Sequence, residues 1–362
     1  MNLKSQLVSK KNIIGLTETD LDQYFSSIGE KTYRTKQVLT WIHKRKLRNF
    51  HKMSDLSEKL RENLDENFYI NIPKPHSKFA SKDGTLKFLF NVGANQVIES
   101  VFIPEDRRNT LCISSQVGCA MDCSFCATGR QGFSRNLTSD EIIGQLMAVI
   151  NEISLDQSIT NVVFMGMGEP LTNMNSVVKA TTIMMSDLMY GISRRRITIS
   201  TSGVVPNIYR LADLTNASLA ISLHSADDAI RNELVPINKT YNIKSLTDAC
   251  WVYAEKTNAR YITFEYVMLD GINDSIEDAK NLASLLKYKP AKVNLIPFND
   301  FTDSTYTCSS RDKIERFCKH LQSKGIFASI RKTRGSDINA ACGQLAGKVN
   351  DKIKKPLSKR LQ

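Results

Sequence analysis

The feature that most constrains the fold is an alternation running from residue 110 to residue 332. Short, strongly apolar strand-like segments (TLCISS, NVVFMG, RITIST, SLAISL, ITFEYV, KVNLIP and finally FASIRK) are separated by helix-like runs. Those runs include TSDEIIGQLMAVINEI, NSVVKATTIMMSDL, SLTDACWVYAEKT and SIEDAKNLASLLKY. Strands without a polar face must be buried on both sides, and a helix between each pair supplies the crossover that parallel pairing needs. About six such units predict an α/β fold, a partial (β/α)6 barrel rather than a complete eightfold one.

What flanks this core reads differently. Residues 1–84 form a small helical unit: TETD at Thr17 is a helix-start signal, Gly29 is a stop, and SDLSEKLRENL opens on a serine cap. Val38, Leu39, Trp41 and Ile42 fall at helical spacing, followed by the basic run Lys44, Arg45, Lys46 and Arg48. Residues 1–80 hold 15 Lys/Arg against 9 Asp/Glu, a balance that suits either a solvated face or an RNA-docking surface. Residues 85–110 read as a β-hairpin extension and linker turning at GAN, the core spans 111–345, and 346–362 is a basic tail. No apolar run approaches the roughly 18–20 residues of a membrane span, and MNLKSQLVSKKN lacks the apolar core of a signal peptide. A cytoplasmic protein is expected. There, eight cysteines point to metal or catalysis rather than a disulfide scaffold. The net charge of +12 favours a polyanionic partner.

The chemistry concentrates in CISSQVGCAMDCSFCATGRQGFSRNL, residues 112–137. Cys119, Cys123 and Cys126 stand in C-x3-C-x2-C spacing, three thiolates for a cluster whose fourth iron stays open to a small molecule. Three close cysteines could also make most of a zinc site, although no second C-x2-C pair follows. In a parallel barrel, functional residues gather at the C-terminal strand ends. That rule groups Gly168 and Glu169, Ser200, Ser222 with Leu223 and His224, and Asn299 on one rim; Glu169 suits a cofactor ammonium. Glu99, on a strand, points either to solvent or into the cleft as a general base. Cys342, between Ala341 and Gly343, and Cys112 read as buried small residues or as reactive thiols.

The combination of QVGCAMDCSFCATGRQGFSRNL, FMGMGEPL, ISTSGVVP, AISLHS, LIPFN and RGSDINAACGQL resembles the RlmN family of radical S-adenosylmethionine (radical SAM) RNA methyltransferases, over roughly residues 85–347. That resemblance implies a radical SAM barrel carrying one [4Fe-4S] cluster on Cys119, Cys123 and Cys126. Gly168, Glu169, Ser200, Ser222, Leu223, His224 and Asn299 would hold SAM, two molecules per turnover. It implies methylation of adenine C2 in the peptidyl-transferase loop of 23S rRNA and 3′ of the anticodon in tRNA. Cys342 would carry the methyl as S-methylcysteine, Glu99 would accept the C2 proton, and Cys112 would resolve the adduct through a transient disulfide. A flavodoxin-type reductant and a monomeric state are the family expectation. Cys250, Cys308 and Cys318 match no functional motif and read as structural. Two alternatives stand beside this reading: a Cfr-type enzyme acting at C8 of the ribosomal adenine, and a non-catalytic iron–sulfur RNA-binding protein.

Overall fold

The computed structural model describes residues 10–154, 157–301 and 304–347. The basic tail expected over 346–362 lies, beyond Gly347, outside the described residues. One ten-stranded sheet organises the rest, and its spatial order is its chain order. The strands are β1 (Ser77–Ala80), β2 (Leu86–Asn91), β3 (Val97–Glu105), β4 (Arg108–Cys112) and β5 (Asn161–Phe164). They continue as β6 (Ile197–Thr201), β7 (Ser218–Ser222), β8 (Ile262–Met268), β9 (Ala291–Pro297) and β10 (Phe327–Ile330). The first three pairings are antiparallel; every pairing from β4 onward is parallel.

Seven parallel strands with six long crossover helices therefore make a barrel that remains open, since its edges β1 and β10 do not pair with each other. The helices are Ser139–Glu152, Met174–Met185, Val205–Leu214, Ile243–Thr257, Ile276–Leu286 and Arg311–Ser323. The seventh strand is the FASIRK segment. Each helix turns an apolar stripe onto the sheet, as Ile142, Ile143, Leu146 and Val149 do in the first. Its start is fixed by a reciprocal capping box between Thr138 and Glu141, which satisfies two otherwise orphaned backbone donors.

The expected hairpin at GAN forms as β2 and β3, but it is continuous with the barrel sheet through the β3–β4 pairing. The N-terminal unit is helical as expected: Glu18–Ser27 is capped by Thr17 in a box with Asp20. Tyr33–Leu39 runs on into a wide turn over Thr40–Lys44, and Glu58–Asn67 follows. The cap of that last helix is Ser57, not the opening Ser54 of its segment, because Ser57 Oγ accepts from the Leu60 amide. No described helix is long and apolar enough to cross a membrane.

Candidate active site

The three motif cysteines sit on a loop clamped by a small antiparallel pair, Gln116–Gly118 with Phe133–Asn136. The loop is closed by the Cys119 amide on the Gly132 carbonyl at 2.9 Å, and by the Cys126 amide on that of Cys123 at 3.1 Å. Burial pushes the Cys119 and Cys123 thiols well up, and the neighbouring thiols and Glu169 add to the effect. A cationic centre bound among them would reverse it by taking the thiolates as ligands. Among the described residues no group of three His, Cys, Asp or Glu converges on a single metal ion. Ligands of a cubane each hold a different iron, so three thiols spread around a loop suit a cluster. The donor set fits.

Around this loop the strand ends form the expected rim. Glu169 is buried; its Oε1 accepts from the Leu171 amide (3.0 Å) and its Oε2 from both the amide and Oγ of Ser202 (2.8 Å each). Burial raises this carboxyl despite those bonds. The Thr201 side chain is a further partner, so most of the roughly four acceptor sites of this carboxylate are taken by the chain itself. Gly168 lies at φ +102°, and a Cβ there would come within 2.5 Å of the Gln116 Cβ. Its close approach is to the chain's own segment at Gln116.

His224 is buried at φ 62°, with Nδ1 accepting from the Val267 amide at 3.0 Å. The neutral ring therefore carries its proton on Nε2. Burial, then Arg231, brings its pKa down to about 3. Phe125 of the cysteine loop meets it edge-on at 4.5 Å. Leu223 and His224 both donate their amides to the Glu265 carbonyl, Ser200 and Ser222 close β6 and β7, and Asn299 follows β9.

Cys112 and Cys342 both line a cavity of about 730 Å³ that occupies the barrel interior. Cys342 is exposed into it and Cys112 is buried in its wall. Burial, followed by the Cys342 thiol, pushes Cys112 up to about 12, while Arg331 opposes the shift on both thiols. The segment carrying Cys342 crosses the barrel mouth and is tied to the cysteine loop. Ala127 donates to the Gly343 carbonyl (2.8 Å), Thr128 Oγ1 to Leu345 (2.6 Å) and Gln131 Nε2 to Gly347 (2.9 Å). From the other side Asn299 Nδ2 donates to the Cys342 carbonyl at 3.3 Å.

Glu99 does not point to solvent. It is buried on β3, 3.7 Å from Lys87 Nζ, with Oε2 lacking a hydrogen bond. It does not line the cavity, and Ala346 of the crossing segment donates its amide to it. Burial raises the Glu99 carboxyl, opposed by Lys87 and Ala346. Of the three remaining cysteines, Cys250 and Cys318 are buried and Cys308 is exposed.

Three residues essential to this geometry escaped the sequence reading. Arg231, fully buried, donates to the carbonyls of Ser202, Ser222 and Leu223 and to Asn238 Oδ1, binding the ends of β6 and β7 together. Glu265 and Arg331 face each other at 4.0 Å within the cavity. A charged residue inside a strand as apolar as ITFEYV is the only local signal, and it marks Glu265 alone.

Comparison with known proteins agrees with the geometry. Residues 11–70 match the ribosomal RNA large subunit methyltransferase N-terminal domain, and residues 113–283 match the radical SAM superfamily. The dual-specificity RNA methyltransferase RlmN of Francisella tularensis subsp. novicida is 51% identical over 350 residues, covering 95% of this chain and 94% of that protein. RlmN of F. tularensis subsp. mediasiatica gives the same identity and coverage. The crystal structure of a radical SAM methyltransferase from Sphaerobacter thermophilus superposes with a TM-score of 0.85 at 39% identity, covering 92% of this chain and 99% of that one. On sequence, fold and the disposition of its cysteines, this chain belongs to the RlmN family of radical SAM RNA methyltransferases.

Proposed function

We propose that this enzyme methylates C2 of adenine in 23S rRNA and in tRNA through a methyl group carried on Cys342. The observation that carries the reading is that Cys112 and Cys342, 230 positions apart, line one cavity, with the Cys342 segment hydrogen-bonded to the cysteine loop. Adenine C2 is an electron-poor ring carbon, so direct attack on a sulfonium methyl is unfavourable and a carbon-radical route is needed. Cys119, Cys123 and Cys126 would hold a [4Fe-4S] cluster, which when bound supplies the electron that cleaves SAM to a 5′-deoxyadenosyl radical. Glu169 would receive the SAM ammonium, and Gly168, Ser200, Ser222, Leu223, His224 and Asn299 would frame the rest of that cofactor.

Cys342 accepts a methyl from a first SAM, losing its thiol proton. The methyl then loses a hydrogen atom to the radical and bonds to C2 through its carbon, and the adduct gives up one electron, for which the bound cluster would be the acceptor. Glu99 takes the C2 proton; its raised carboxyl suits a base, and the segment at Ala346 must lift from it first. Attack by the Cys112 thiolate on the Cys342 sulfur breaks the sulfur–methylene bond; the released carbon takes up a proton to become the methyl group, and the two sulfurs remain as a disulfide that a two-electron reductant reopens. A flavodoxin-type donor, a monomeric state and a cytoplasmic location complete the proposal. So does the division into a docking unit (1–84), a hairpin linker (85–110), the catalytic core (111–345) and a basic tail (346–362).

Anaerobically reconstituted enzyme with SAM, reductant and ribosomal RNA fragments tests it by mass spectrometry of the digested RNA. 2-Methyladenosine is expected from the wild type and none from Cys342→Ala. 8-Methyladenosine, or methylation that survives Cys342→Ala, overturns the assignment.

A further inference from the structure

The barrel cavity does not end beneath Cys342. It continues to the opposite mouth, where the N-terminal ends of the strands meet, and reaches Arg108, Asn161, Arg194, Arg195, Arg260 and Tyr261. This end of a barrel ordinarily serves stability. Its charges here do not. Five of the eight basic residues lining the cavity, Arg108, Arg194, Arg195, Arg260 and Lys292, lie at this mouth, and its one acid, Glu105, is consumed by Arg108 through contacts of 2.7 and 3.0 Å. Arg195, Arg260 and Lys292 make no ion pair with a carboxylate among the described residues. Unpaired cations around a concave, low-dielectric mouth repel one another and focus a positive potential, an arrangement that favours an anion.

Two further observations define what kind of anion. Tyr261 and Phe327 line the same mouth and are exposed, at 40% and 64%; the Arg260 guanidinium lies 5.1 Å over the Tyr261 ring, so Phe327 offers the freer face. Exposed aromatic faces among cations suit a nucleobase or sugar face. Deeper in, Glu265 is buried at 4% exposure and lines the cavity, yet its Oε2 has no hydrogen-bond partner. Its Oε1 is held by Asn294 Nδ2 at 2.9 Å, and Asn294 in turn by Ser329 Oγ at 3.1 Å. An orphaned buried acceptor calls for a donor from whatever fills the chamber. Glu265 lies four residues above Tyr261 on β8 and its approach, a rise of about 13 Å at roughly 3.3 Å per residue. That is about the length of a nucleoside monophosphate.

The geometry points to a second binding site at this N-terminal mouth for a nucleoside monophosphate unit. Its phosphate sits among Arg195, Arg260 and Lys292, its base or sugar rests against Tyr261 or Phe327, and a hydroxyl or amino group donates to Glu265. The unit comes either from a free nucleotide or from the 5′-phosphorylated end of an RNA strand. The site opens at the mouth opposite the cluster end of the barrel and runs in to Glu265, within the same cavity that Cys112 and Cys342 line; the inference does not depend on the methylation reading.

Equilibrium dialysis of the reconstituted enzyme with AMP, adenosine and a 5′-phosphorylated RNA dinucleotide tests it, in the wild type, Arg195→Glu/Arg260→Glu and Lys292→Met. One saturable site per chain is expected for AMP or the dinucleotide, weakened at least tenfold by the double reversal and by added salt. Adenosine should bind at least tenfold more weakly, and SAM affinity should not change in any variant. Binding of the dinucleotide alone assigns the ligand to an RNA end; binding of AMP assigns it to a free nucleotide. No saturable binding of either, wild-type affinity in both variants, or displacement of AMP by SAM overturns the site.

Discussion

Arg231 offers the sharpest test of how the cofactor rim is held. Its guanidinium, with no exposed surface, donates to Ser202 O at 2.7 Å, Asn238 Oδ1 at 2.7 Å, Leu223 O at 3.0 Å and Ser222 O at 3.1 Å. Arg231→Met fills similar space but strands four buried acceptors, each costing about 1–3 kcal/mol when left unpaired. Against this, the variant removes a buried cation whose desolvation is unfavourable; burial lowers Arg231 to about 10, so it is still charged at neutral pH. The four stranded acceptors are all neutral, so the expected net loss is about 3–5 kcal/mol, the lower part of their sum once the relieved desolvation is set against it. The damage should be local first, because Ser202 supplies two hydrogen bonds to Glu169. Urea unfolding followed by far-UV circular dichroism gives the stability, and equilibrium dialysis gives SAM affinity. Arg231→Lys keeps the charge but cannot span four acceptors, so it should recover less than half of the loss. A methionine variant within about 0.5 kcal/mol of wild type, the range of an ordinary surface change, would refute the reasoning.

Two other predictions rest on separate features. His43 is buried, its Nδ1 3.1 Å from the Tyr190 hydroxyl and its Nε2 unpartnered, and burial lowers its pKa to about 3. The unfolded chain therefore binds the extra proton first, and stability present above about pH 6.5 is lost as pH falls toward 3. His43→Phe keeps the edge-on ring contact and should lessen the slope of the urea midpoint between those values, the part due to the equally depressed His224 remaining; an unchanged slope counts against it. Gly168→Ala forces a Cβ to within 2.5 Å of Gln116 Cβ and 2.8 Å of its backbone nitrogen at φ +102°. It should cost about 2–5 kcal/mol from overpacking plus backbone strain. Gly271→Ala, at φ +69° with nothing within 4 Å, should cost only about 1–2 kcal/mol. Equal urea midpoints for the two variants would show that contact with Gln116 is not what requires the glycine.

Much of this protein was legible in its sequence, for a physical reason. Helix periodicity, apolar strands and caps are local properties, so the alternation pointed to all seven parallel strands and to four of the six long crossover helices; Val205–Leu214 and Arg311–Ser323 were not among the runs it named. The three-cysteine loop was equally plain, because its thiols lie within eight residues of one another. The rim residues were legible too, since each follows a strand and the parallel arrangement sends all those ends to one side.

Tertiary structure alone decided the rest. Nothing near Glu99 announces that Ala346 will close over it, since that contact joins segments almost 250 residues apart. Arg231 looks like any helical surface cation in DAIRNEL until three strand-end carbonyls converge on it. The excess of cations at the far mouth is likewise spread over separate strand entries, and only barrel curvature gathers them. Local pattern determines which elements form and which way they run. The partners of buried charges depend on how distant elements meet, and no short stretch of chain encodes that.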